Sequence, residues 1–281
     1  MNGLLTRISD ITTRCISKSI CEAMAFPELI AVLRPSSEAE SRSAFLTPFG
    51  IPDRTMLEEF GVKKTETGRT GCRVPRLSLS VHCCEPHLEC AAHLMETSFD
   101  YCVSDALANG SVEKAVLISP QPEKLGISGE TYPAGQPEDL IISKRELVCA
   151  LSAYECNLYD SIVIRISSDY LPTFPGSTEI REWPFLSQEC SEYIRSRFQH
   201  YRTNAPSVEK SDSGGEMWNH RILFNLPAGD FSSRDYDEKR TIGELFFIPD
   251  RVPDGVYQLM CPFLEMKADC ALVVPLLYSL S

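Results

Sequence analysis

Three of the chain's five histidines and three of its twelve cysteines fall within residues 82–93, His82-Cys83-Cys84-Glu85-Pro86-His87-Leu88-Glu89-Cys90-Ala91-Ala92-His93. Thiolates and imidazoles are donors that zinc prefers, and a cysteine beside a histidine is also the pairing from which a nucleophilic thiolate is made. Cys84, His87, Cys90 and His93 step by three residues and are the candidate metal ligands. Cys83 or Cys84 with His87 is the candidate pair for nucleophilic catalysis.

What positions these groups decides what they can do. Pro86 suits the first position of a helix, and Leu88, Ala92, Met95, Phe99, Cys102, Val103 and Ala106 form an apolar stripe that ends at Asn109-Gly110. The spacing therefore predicts a helix over residues 86–108. At roughly 100° per residue, His87, Cys90 and His93 point away from the stripe, and four ligands at three-residue steps on one helix cannot meet at one ion. A metal would instead take two helix neighbours, Cys83 or Cys84 from the preceding loop, and a more distant group such as Cys72. The plainer expectation is an amphipathic helix with polar histidines. In the catalytic version, the helix dipole and a protonated His82 or His87 favour the thiolate of Cys83 or Cys84, but nothing in the sequence marks an orienting third group.

A second candidate lies near the carboxyl terminus. Pro253-Asp254, ten residues, then Glu265-Met266-Lys267 resembles the PD...(D/E)xK pattern of metal-dependent nucleases, and Pro249-Asp250 repeats its first half at longer spacing. The resemblance implies that Asp254 and Glu265 hold Mg²⁺ or Mn²⁺ while Lys267 positions the attacking water. It covers this segment alone. A strand over residues 256–261 would leave Asp254 and Glu265 about 30 Å apart, at about 3.3 Å per residue, unless the chain reverses at Pro262. Asp230, Asp235, Asp237 and Glu238 form an acidic loop without the spacing of an EF-hand. The nucleophile elbow G-x-S-x-G, the phosphate loop, the dinucleotide fingerprint and H-E-x-x-H are all missing from the sequence.

The net charge of -12 is unevenly placed: residues 1–80 carry +2 and residues 81–281 carry -14. A body this acidic repels phosphate backbones, so nucleic acid is a disfavoured partner. No apolar run approaches the roughly 18 to 20 residues needed to span a bilayer. The amino terminus lacks the compact apolar stretch of a secretory signal, which places the chain in the cytosol or nucleus with its cysteines reduced.

With 281 residues, 43% of them hydrophobic, the chain can bury a sizeable core. Leu4, Leu5, Ile8, Ile11, Cys15 and Ile16 recur at helical spacing and predict an amphipathic helix within an arm of residues 1–34. Residues 35–43 read as a linker, and residues 44–281 as a single body with a mobile loop near 207–216. Ser143 and Ser187 are placed to cap helices. Alternation of Ile162, Ile164 and Ile166 predicts a strand with one buried face, and further strands are expected over residues 220–226, 244–248, 256–261 and 270–278. The fold expected is α+β: a helical N-terminal arm, a mixed α/β middle and a β-rich C-terminal third.

The missing catalytic motifs favour a non-enzymatic protein of interaction or assembly, needing no cofactor, with a protein partner or a second copy of itself. A virus-encoded structural or accessory protein would suit this composition. The alternative is a hydrolase, either a Cys/His enzyme or a divalent-metal nuclease of the PD...(D/E)xK kind. A zinc-stabilised adaptor is a third option.

Overall fold

The computed structural model describes residues 29–32 as backbone, and residues 86–94, 101–107, 112–171, 182–211, 216–227, 236–263 and 268–280. The expected amphipathic helix of the arm and the linker over residues 35–43 lie outside them. The fold is mixed α and β, as the sequence suggests. Among the described residues its largest element is a nine-stranded sheet. In chain order the strands are β1 (Leu29–Val32), β2 (His87–Glu89), β3 (Val112–Ile118), β4 (Glu123–Lys124), β5 (Leu140–Ile142) and β6 (Ser161–Ile164). They continue as β7 (Phe185–Leu186), β8 (His200–Thr203), β9 (Thr241–Glu244), β10 (Gly255–Met260), β11 (Cys270–Leu272) and β12 (Leu276–Ser279). The large sheet runs β1-β12-β10-β3-β6-β8-β9-β2-β11, and β4-β5-β7 form a small second sheet.

The centre of the large sheet, β3-β6-β8-β9, is parallel and its flanks are antiparallel. Parallel strands need crossovers that lay other elements on the sheet faces, so both faces are covered. β6 shows the consequence. Ile162 and Ile164 enter one apolar cluster with Leu147, Ile194 and Phe224 from three helices, while Val163 enters a second cluster with Leu88, Leu117 and Phe246. The expected half-exposed strand is therefore buried on both faces.

The helices Lys144–Ala150 and Gln188–Arg197 start where their caps predict: Ser143 accepts from the Glu146 N–H and Ser187 from the Cys190 N–H. Other expectations fail. Residues 220–226 do not form a strand, because Trp218–Phe224 is a helix whose buried His220, Leu223 and Phe224 fall three and four residues apart, ended by Asn225 at φ 61. The strand expected over 244–248 stops at Glu244, where Leu245 takes φ 60 and turns the chain out of the ladder. The strand expected over 270–278 is split into β11 and β12 around Pro275. Val208, Glu209 and Lys210, in the segment expected to be a mobile loop, are buried; residues 212–215 lie outside the description.

Candidate metal centre

The helix expected over residues 86–108 is replaced by β2, a bend at Cys90, a 3-10 turn Ala91–Leu94 and a short helix Val103–Ala106. Leu88, Ala92, Cys102, Val103 and Ala106 of the stripe are buried, but by different means, and Met95 and Phe99 lie outside the described residues. β2 is paired on both edges, with β9 on one side and β11 on the other, and that tertiary pairing outweighs a local helical pattern. On a strand, alternate side chains share a face. Leu88 enters the core, and His87 and Glu89 project together to the other side.

β9 completes the pair. His87 stands opposite Glu244, Leu88 opposite Gly243, and Glu89 opposite Ile242. The approach at Gly243 is so close that an added Cβ would lie 2.6 Å from Arg202 Cδ and 2.9 Å from Leu88 Cδ2. Glycine is thus what lets β2 and β8 flank β9 closely enough for the three polar side chains to meet. The helix Trp218–Phe224 lays His220 over them. His87 Nε2 lies 3.0 Å from Glu89 Oε1 and 3.7 Å from Glu244 Oε2, while His220 Nε2 lies 3.1 Å from Glu89 Oε2 and 3.5 Å from Glu244 Oε1. Donors of His87, Glu89 and Glu244 all lie within 4.8 Å of one another. Ligand atoms about 2.1 Å from a shared ion in tetrahedral array stand about 3.4 Å apart; the separations from His87 to Glu89 and Glu244 bracket that spacing, and His220 approaches the other oxygen of each glutamate from beside this three-residue group. Imidazole with carboxylate is a donor set for zinc, manganese or iron. The group fits a divalent metal.

The electrostatics point the same way. His87, Glu89, Glu209, His220 and Glu244 are all buried. Burial first, and then the charge of Glu89, push the Glu244 carboxyl up to about 7 against the opposing pull of His220 and His87. Burial works against a charged His220, but the hydrogen bonds it donates to Glu209 and Glu89 outweigh it and raise its basicity well above the ordinary value. Without a cation the cluster must therefore take up protons to offset its carboxylates.

His93 returns toward this group on the 3-10 turn. Its Nδ1 lies 3.0 Å from Asp269 Oδ2, and its ring centroid is 6.0 Å from that of His220. Burial lowers its basicity, but the Glu89 charge and the Asp269 hydrogen bond more than compensate. Cys90, by contrast, enters the opposite core cluster with its Sγ 3.5 Å from the Asp269 carbonyl, and burial pushes its thiol well above the usual range. Of the four evenly spaced candidates, His87 belongs to the group, His93 stands beside His220 with its Nδ1 on Asp269, Cys90 turns away, and Cys84 lies outside the described residues with Cys72, His82 and Cys83.

Asp254, the aspartate of the nuclease-like pattern, is engaged elsewhere. It accepts from Ser119 N (2.8 Å), Ser119 Oγ (2.7 Å) and Arg165 Nη2 (3.0 Å) beside a small cleft lined by Ser119, Arg165 and Asp250. Glu265 and Lys267 lie outside the described residues. Sequence reasoning missed Glu89, Glu244, His220, Glu209 and Asp269 as members of one site. The signal available was the alternation His87-Leu88-Glu89, which on a strand presents two metal-type donors to one face.

No protein-family model matches the chain, and no curated protein does. Among solved structures it is similar to a potential metal-dependent hydrolase with cyclase activity, at 16% identity and a TM-score of 0.48, covering 72% of this chain and 80% of that one. It is also similar to isatin hydrolase A from Labrenzia aggregata, at 12% identity and TM-score 0.47 over 69% of this chain and 72% of that one. Isatin hydrolase A from Ralstonia solanacearum aligns at 10% identity and TM-score 0.45 over 68% and 70% of the two chains. The expected non-enzymatic structural or accessory protein without a cofactor is corrected at the site itself, where the buried His87-Glu89-Glu244 group has the donors of a metal centre.

Proposed function

We propose that the chain is a divalent-metal-dependent hydrolase of amide or ester carbonyls, with the ion held by His87, Glu89, Glu244 and His220. One observation carries this reading: two imidazoles and two carboxylates from β2, β9 and a helix converge at 3.0 to 3.7 Å in a buried site. A structural role alone gives no reason to gather them there. Burying carboxylates beside one another costs several kcal/mol per uncompensated charge, and a divalent cation removes that cost. A bound ion supplies Lewis acidity, polarising a carbonyl oxygen and acidifying water.

The remaining chemistry falls to His93. Asp269 lies 3.0 Å from its Nδ1 and stabilises positive charge on the ring. The imidazole takes a proton from the attacking water as the water oxygen bonds to the carbonyl carbon, then returns it to the departing amine or alcohol as the scissile bond breaks. The site carries several carboxylates in a body of charge -14 over residues 81–281, which disfavours a phosphodiester and favours a neutral carbonyl substrate. No helix among the described residues is long and apolar enough to cross a membrane. Cys90, Cys190 and Cys261 carry free thiols, which supports a cytosolic or nuclear location.

The test is calorimetric titration of chelator-stripped protein with Zn²⁺ and Mn²⁺, followed by assay against a panel of aryl amides and esters. One saturable site per chain, with hydrolysis lost on stripping and restored on reloading, is the expected result. Hydrolysis indifferent to the ion, or no saturable site, overturns the proposal.

A further inference from the structure

Behind His220 lies a second pair of groups that the hydrolytic chemistry does not use. Glu209 is 3% exposed, and both of its carboxylate oxygens are engaged. Oε1 accepts from the His220 backbone N–H at 2.8 Å and lies 3.0 Å from His220 Nδ1, and Oε2 accepts the Tyr132 hydroxyl at 2.6 Å. The backbone of Glu209 is pinned as well, its N–H donating to Ser207 Oγ at 3.2 Å and its carbonyl accepting from Trp183 Nε1 at 2.9 Å. Tyr132 is held in turn by its ring contacts with Phe185 and Trp218, with centroids 4.6 and 5.5 Å away.

We propose that Glu209 and Tyr132 are positioning residues of the metal centre, fixing His220 in the tautomer that presents its Nε2 lone pair to the ion. This rests on the metal-centre reading above. A neutral imidazole has one N–H and one lone pair. Glu209 Oε1 is an acceptor, so it holds the proton on Nδ1. Without that acceptor, the stable arrangement places the proton on Nε2, where Glu89 Oε2 at 3.1 Å and Glu244 Oε1 at 3.5 Å accept it. That tautomer cannot ligate, and an incoming ion would first have to displace its proton. Tyr132 acts one step further out: by occupying Oε2 it stops the carboxylate from turning and keeps Oε1 on His220. Partners of this kind typically change metal affinity 10- to 100-fold.

The experiment compares the full chain with Glu209→Gln, Glu209→Asp and Tyr132→Phe, using Zn²⁺ alone in competition with a chromogenic chelator. In parallel, long-range ¹⁵N–¹H spectra of the metal-free proteins, recorded at a pH alkaline enough to leave His220 neutral, assign its remaining proton. Glu209→Gln, whose neutral carbonyl holds the Nδ1 proton more weakly than a carboxylate, is expected to bind Zn²⁺ about 10- to 100-fold more weakly and to shift the proton toward Nε2. Glu209→Asp should recover part of the affinity, and Tyr132→Phe, which removes one hydroxyl from an otherwise intact ring, should lose a few-fold. A merely structural role would lower the melting temperature and leave the affinity of the folded protein and the tautomer unchanged. Should Glu209→Gln not fold, Tyr132→Phe decides alone. Wild-type binding with both variants within about twofold, and His220 still protonated on Nδ1, overturns the positioning role and leaves the metal centre standing. A wild-type chain that binds no ion overturns the metal centre itself.

Discussion

Replacing Glu244 by glutamine should stabilise the metal-free protein and remove most of the further stabilisation that the ion gives the wild type. Glutamine keeps a carbonyl oxygen to accept the Val208 N–H, now 2.9 Å from Glu244 Oε1, so the backbone contact survives and only the charge is lost. In the metal-free wild type the Glu244 carboxyl is pushed up to about 7 from 4.5. A folded pKa raised above the unfolded one means that the unfolded chain releases its proton first, so stability falls as pH rises from about 4.5 through about 7. At 1.36 kcal/mol per unit the loss is about 3 kcal/mol by pH 8, and the glutamine variant escapes it. For a chain of this size that is roughly 6 to 12 °C in melting temperature. Near pH 4, where the wild-type carboxyl is protonated in both states, the two proteins should melt together. Adding Zn²⁺ at a hundred times the wild-type dissociation constant stabilises wild type by about 2.7 kcal/mol. A variant binding a hundredfold more weakly gains only about 0.4 kcal/mol at the same concentration. Differential scanning calorimetry at pH 8, with chelator and then with Zn²⁺, reads both arms. The reasoning fails if the metal-free variant is the less stable at pH 8, or if Zn²⁺ raises both melting temperatures equally.

Gly243→Ala places a methyl group within 2.6 Å of Arg202 Cδ and 2.8 Å of Phe246 Cζ; we expect a loss of about 1 to 3 kcal/mol in urea denaturation, together with weaker Zn²⁺ binding as Glu244 is pushed out of register. His200 is held down to about 4, first by burial and then by Arg202 and Arg240 against the opposing Glu113. Its folded pKa is below the unfolded 6.5, so stability is lost as pH falls from about 6.5 to about 4. The loss is about 2 kcal/mol, trimmed from the full shift because the ring is only partly buried, and His200→Asn should flatten that acid limb in equilibrium denaturation. His93→Ala should cut turnover about 10²- to 10⁴-fold with Zn²⁺ affinity changed less than threefold; equal losses in both would make His93 a ligand and remove it as the base.

Burial was far more legible in the sequence than conformation. Leu88, Ala92, Cys102, Val103 and Ala106 were all read as core and all are buried, yet the helix drawn through them does not exist. Apolar residues three and four apart satisfy a helix, but they equally satisfy a short strand, a tight turn and a second short helix that face the same core in succession. What decides between these is the pairing of β2 with β9 and β11, whose residues lie more than 150 positions away, and no local window contains it. The caps at Ser143 and Ser187 are local hydrogen bonds over three residues, and they were correct for that reason.

The same distinction governs the site. On a helix, His87 and Glu89 diverge by roughly 200°, and the Cys/His spacing looks like the significant pattern; on a strand they share a face, and the significant residue becomes the glutamate between the sulfurs. Choosing the period therefore chose the ligands. Once β2 is a strand, the demand for partners across the ladder leads to Glu244, whose opposition to His87 is fixed by register. A buried row of His87, Glu89 and Glu244 then calls for a cationic or hydrogen-bonding cover from the layer above, the place that His220 fills from the helix Trp218–Phe224. Gly243 is the residue through which fold and chemistry are coupled, since the contact that excludes a Cβ there is what holds Leu88 in the core and its two polar neighbours over Glu244.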